Sequence, residues 1–63
     1  MQLIVNGAAQ RVFANDLSTL LIELKLNPQT LVVEKNGEIV PRGENCQLRD
    51  GDKLEIVRFV GGG

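Results

Sequence analysis

Sixty-three residues, 43% of them hydrophobic and 24% charged, specify one globular domain with a small core. A chain of this size buries only about 60% of the surface that it exposes when unfolded, which leaves little room for an enzyme's pocket. Seven basic residues against eight acidic ones give a net charge of −1, and there are only two aromatic residues. With no basic block to neutralise phosphates and no platform on which bases could stack, nucleic-acid binding is not expected.

The chain opens on a short apolar run, Gln2-Leu3-Ile4-Val5, followed by Asn6-Gly7. Asn-Gly is a strong hairpin signal, because a two-residue type I′ turn needs a positive φ at both central positions. The returning strand is expected at 10–13. Asn15-Asp16 then offers a helix cap, with Ser18 as the alternative. Leu17, Leu20, Leu21 and Leu24 follow at the spacing of one helical face, so a helix is expected over about 17–26, ended by Pro28.

Leu31-Val32-Val33-Glu34-Lys35 reads as a third strand. Asn36-Gly37 repeats the turn signal, and Glu38-Ile39-Val40 is a short fourth strand closed by Pro41. A polar loop over 42–47 leads to the turn Asp50-Gly51-Asp52, and residues 53–59 form the last strand. The helix can bury its leucine stripe only against the strands. The expected fold is therefore α+β, a mixed sheet of four or five strands crossed by one helix. The domain spans 1–60, and 61–63 form a glycine tail.

The opening apolar run is too short for a signal peptide or a membrane span. The single Cys46 rules out an internal disulfide. Small secreted domains usually need such staples, so a cytoplasmic protein without a membrane partner is expected. The chain has no His and no Tyr, so the thiol of Cys46 lacks the usual base. Its expected role is that of a half-buried small apolar residue. One Cys and scattered carboxylates do not complete a metal site. Turn chemistry accounts for Asp50 and Asp52. No catalytic residues, metal or bound cofactor are expected, and the protein is not read as an enzyme.

Two features at the end of the chain carry the functional expectation. In the last strand Leu54 and Ile56 share one face, while Val57 and Phe59 share the other. Either Val57 and Phe59 are exposed as a docking surface or they belong to an ordinary outer face. The strand then runs into Val60-Gly61-Gly62-Gly63. Glycine accepts φ of either sign and has no side chain to block approach, so such a tail can thread a narrow channel; the other reading is a frayed terminus. Four residues extend at most roughly 13–14 Å, and at their tip is the α-carboxylate of Gly63. An ionised carboxylate is a poor electrophile. To carry an acyl group it must first gain a leaving group, such as adenylate, and with no nucleotide site here a partner must supply it.

These residues resemble the ubiquitin-like β-grasp sulfur carriers, most closely those of thiamin (thiazole) biosynthesis, the ThiS family. The resemblance covers the whole chain. It rests on the opening strand with Asn6-Gly7, on Val33-Glu34-Lys35-Asn36-Gly37-Glu38-Ile39-Val40-Pro41-Arg42, on Asp50-Gly51-Asp52, and on Glu55-Ile56-Val57-Arg58-Phe59-Val60-Gly61-Gly62-Gly63. The resemblance implies that an adenylating enzyme, related to those that activate ubiquitin, uses ATP to convert the Gly63 carboxylate to an acyl-adenylate. It implies that sulfur from a cysteine desulfurase persulfide then replaces AMP, giving a thiocarboxylate that serves thiazole synthase. Gly62 and Gly61 would form the approach, and Val57, Phe59 and Val60 would contact the partners. The small subunit of molybdopterin synthase, carriers for other sulfur-transfer pathways, and a β-grasp interaction module with an inert tail are the alternatives.

Overall fold

The computed structural model describes residues 1–59. Five strands and one α-helix follow in chain order: β1 (Gln2–Val5), β2 (Ala8–Arg11), α1 (Leu17–Glu23), β3 (Leu31–Lys35), β4 (Glu38–Val40) and β5 (Lys53–Arg58). The strands form one sheet in the order β2-β1-β5-β3-β4. β1 and β5 run parallel at its centre, and the other neighbours are antiparallel. The last strand is thus the middle of the sheet.

Both Asn-Gly turns form as expected, with Asn6 at φ 51°, Gly7 at 83°, Asn36 at 52° and Gly37 at 88°. The first hairpin corrects the expected second strand. That strand is Ala8–Arg11 rather than 10–13, because a two-residue turn sets Ala8 directly opposite Val5. Phe13 lies beyond it, and the Phe13 and Ala14 N–H groups donate to the Glu23 carboxylate at 2.8 to 3.1 Å.

The helix begins where Asp16 predicted, and every early N–H finds an acceptor. Leu17 N–H donates to the Cys46 carbonyl at 3.0 Å, Ser18 N–H to Asn45 Oδ1 at 2.8 Å, and Thr19 N–H to Asp16 Oδ1 at 2.8 Å. The polar loop after β4 therefore crosses the helix start and satisfies donors that helices leave unpaired. Hydrogen bonds from Thr19, hydroxyl first and then backbone, hold the Asp16 carboxyl below its ordinary value of 3.8. The end of the helix is a second correction. It stops at Glu23, not near Leu26, and Pro28 is not the cause. Lys25 adopts φ 60°, Lys25 N–H donates to the Ile22 carbonyl at 3.0 Å, and Leu26 N–H to the Leu21 carbonyl at 2.8 Å. That pair of bonds is a Schellman motif. Pro28 instead starts one turn of 3₁₀ helix, Pro28–Thr30.

The core lies between helix and sheet. Leu17, Leu20 and Leu21 of α1 are buried with Leu3, Leu31, Val33 and Leu54 of the strands, and Val12, Ala14 and Leu48 close the layer from the connections. Among the described residues no polar or charged side chain is fully buried, so burial of aliphatic surface is the dominant stabilising term. Cys46 is half-buried and packs against this core.

Candidate functional site

The alternation within β5 decides what the sheet presents at its far side. Leu54 is 1% exposed and Ile56 packs partly against the core, whereas Val57 is 56% exposed and Phe59 51%. The strand register is thus the one that places Val57 and Phe59 away from the helix. β5 itself ends at Arg58, one residue earlier than expected. Phe59 still holds its place, because its N–H donates to the Thr30 carbonyl at 2.8 Å. Val60, Gly61, Gly62 and Gly63 lie outside the described residues.

The same face carries apolar residues that the strand reading left unnamed. Val57 is opposite Val32 in the β3·β5 ladder, and Ile39, 65% exposed, is opposite Glu34 in the β3·β4 ladder. Leu3, Val33 and Val40 point to the core, so by alternation Ile4, Val32 and Ile39 point outward with Val57. That parity was available in the sequence. Phe13 and Ile22, also strongly exposed, belong to the segment after β2 and to the helix.

Two asparagines fix β5 in the sheet. Asn6 N–H donates to the Leu54 carbonyl at 2.8 Å. Its side-chain amide then behaves as one more peptide unit: Nδ2 donates to the Ile56 carbonyl at 3.2 Å, and Ile56 N–H donates to Oδ1 at 2.7 Å. The β1·β5 ladder has only two register pairs, Ile4 with Lys53 and Val5 with Leu54, so this amide extends it toward the end of the strand. Asn36 does the same at the start of β5, where Lys53 N–H donates to its Oδ1 at 3.0 Å and its Nδ2 donates to Asp52 Oδ1 at 3.1 Å. Hydrogen bonds from Arg49 N–H and then from Asn36 hold the Asp52 carboxyl below its ordinary value of 3.8. At the other end of β5 Arg42 meets Phe59, its guanidinium carbon 5.1 Å from the centre of the ring.

The site is thus a partly apolar sheet face, pinned along its central strand, with Phe59 as the last described residue before the glycines. It offers a surface and an exit point. Among the described residues no three His, Cys, Asp or Glu side chains gather as a metal site. No described helix is long and apolar enough to cross a membrane.

A mixed five-stranded sheet crossed by a single helix is the ubiquitin-like β-grasp architecture. The crystal structure of the thiamine biosynthesis protein ThiS from Geobacter metallireducens superposes with a TM-score of 0.72 at 35% identity over all of both chains. A solution structure of a thiamine biosynthesis protein from the same organism gives 0.76 at 36% identity, covering all of this chain and 88% of that one. The ThiS family model matches residues 3–63, and the chain belongs to that family. The sulfur carrier protein ThiS of Bacillus subtilis is 41% identical over 49 residues, 75% of this chain and 74% of that protein. A thiazole synthase of Paramagnetospirillum magneticum is 44% identical over the whole of this chain. The chain spans only 20% of that protein's length, and the same share of a thiazole synthase of Magnetococcus marinus that is 35% identical.

Proposed function

We propose that this protein is the sulfur carrier of thiamin thiazole biosynthesis and that Gly63 is the residue loaded. The observation that carries the reading is the family match, which runs through Gly63 itself. It is supported by a strand that ends at Arg58, with the half-exposed Phe59 next, four residues before that glycine. The chemistry follows from the carboxylate. An ionised carboxylate has no leaving group and resists nucleophilic attack. An adenylating enzyme transfers AMP from ATP to one oxygen and releases pyrophosphate. A persulfide sulfur from a cysteine desulfurase attacks the acyl carbon and AMP leaves. A thiol then attacks the desulfurase-side sulfur of the acyl disulfide; it forms a new disulfide there and releases the thiocarboxylate on Gly63. This chain supplies the acceptor and the docking face, and ATP belongs to the activating partner.

Val57 and Phe59, with Val60, form the surface that partners grip, while Gly61 and Gly62 let the tail pass a narrow channel. The acceptor of the sulfur is thiazole synthase. Two proteins of that name contain, within one-fifth of their length, a sequence similar to this whole chain, which supports the pairing. A thiocarboxylate oxidises readily and the thiol that frees it must stay reduced, so a cytoplasmic carrier fits this chemistry.

The test is reconstitution with ATP, the adenylating enzyme, a desulfurase and cysteine, followed by transfer to thiazole synthase. Sulfur from labelled cysteine is expected to pass through the carrier into the thiazole. A thiazole formed equally well without the carrier, or labelled without passage through it, contradicts the proposal. Transfer into molybdopterin synthase instead would assign the chain to that pathway.

A further inference from the structure

The residue that stands over Phe59 is delivered by its own local structure. After β4 the chain makes a turn over residues 41–44, in which Glu44 N–H donates to the Pro41 carbonyl at 3.1 Å. Gly43 sits at φ 86°, and a positive φ at the third place is what a type II turn requires. Pro41, at the first place of this turn, directly precedes Arg42. Arg42 therefore occupies the exposed corner of a hydrogen-bonded turn. From there its guanidinium reaches the Phe59 ring at 5.1 Å, inside the roughly 6 Å range of a cation–π contact. Phe59 is thus held twice: its backbone by Thr30, its ring by Arg42.

We propose that Arg42 is a positioning residue: it holds the Phe59 ring in the orientation that partners grip and so presents the tail that follows. This rests on the reading of Phe59 as a docking residue and Gly63 as the loaded one. An aromatic side chain half in water at the end of a strand has several rotamers to lose on binding. Fixing one beforehand lowers that cost and strengthens association without adding any contact to the partner. The planar guanidinium stacks on an aromatic face where a lysine ammonium makes only a point contact. Arg42 therefore acts on binding and not on the chemistry at Gly63.

The experiment compares wild type with Arg42→Met, Arg42→Lys, Phe59→Leu and the Arg42→Met/Phe59→Leu double variant. Pyrophosphate release by the adenylating enzyme gives KM and kcat for each carrier. Arg42→Met is expected to raise KM about two- to fivefold, the range of an exposed cation–π contact, with kcat unchanged. Arg42→Lys should raise it less. In the Phe59→Leu background, removing Arg42 should leave KM where it is. The NMR signals of the Phe59 ring should shift in Arg42→Met while those of Phe13, 94% exposed and far along the chain, stay fixed as an internal reference. An equal KM rise in the Phe59→Leu background overturns the proposal, since Arg42 would then touch the partner itself. An unchanged KM on a carrier that is loaded overturns it as well. If wild type is never adenylated, the carrier reading fails and this inference falls with it, whatever the ring signals show.

Discussion

Replacing Asn6 separates the two jobs that the structure gives it. Asn6 stands at φ 51° in the first turn and ties its side chain to Ile56 by two hydrogen bonds, of 3.2 and 2.7 Å. These bonds are solvent-exposed, so each contributes at the low end of the usual range, about 0.5–1 kcal/mol. Alanine loses both and must also hold a left-handed backbone, at about 1 kcal/mol. Asn6→Ala should therefore cost about 2–3 kcal/mol. Asn6→Gly accepts the backbone and loses only the bonds, so about 1–2 kcal/mol. In a domain this small, 1 kcal/mol moves Tm by about 4–8 °C, which puts Asn6→Ala roughly 10–20 °C below wild type. Asn6→Asp keeps the acceptor for Ile56 N–H but turns a carboxylate oxygen toward the Ile56 carbonyl, and should fall below wild type too. Urea denaturation and melting by circular dichroism measure all three. If Asn6→Ala and Asn6→Gly lie within about 0.5 kcal/mol of wild type, the amide does not extend the β1·β5 ladder.

Further outcomes follow from the same geometry. Phe59→Ala should cost about 1 kcal/mol in stability because half the ring is already in water, yet weaken binding to the adenylating enzyme. Leu54→Ala, at 1% exposure, should cost about 2–5 kcal/mol; equal melting losses with intact binding would make Phe59 a core residue. Asp16→Asn keeps the helix cap but removes an acid-sensitive group. Because the Asp16 carboxyl lies below 3.8 in the folded state, its contribution is complete above that pH and lost as pH falls through the lower folded value. Melting curves recorded down the acid limb should fall less steeply for Asp16→Asn than for wild type, and parallel curves would contradict the cap argument. Gly62→Val should block sulfur loading while leaving the unfolding free energy within about 0.5 kcal/mol of wild type; full loading, read by mass, would mean that the tail meets no narrow channel.

Much of this molecule could be read along the chain. Both Asn-Gly turns, the Asp16 cap, the leucine stripe and the two faces of β5 are local patterns, and local physics decided them. The misplaced second strand has a simple origin: Ala8-Ala9 carry little strand preference, and only the two-residue turn places them in the ladder. The helix end was hidden because Lys25 takes the left-handed position that glycine or asparagine usually marks. Contacts between distant residues left no trace. Asn6 reaches Ile56 across fifty positions, and Arg42 meets Phe59 from the far side of β3. At the candidate site, then, the exposed side chains were legible from alternation, while what holds them in place was not.

The most direct test of the carrier claim is fragment mass spectrometry of the protein isolated from cells starved of thiamin. A population is expected in which one oxygen is exchanged for sulfur, with the added mass confined to the fragment containing Gly63 and lost on hydrolysis, which restores the carboxylate and releases hydrogen sulfide. A protein carrying no such exchange, or carrying its sulfur on Cys46 instead, would contradict it.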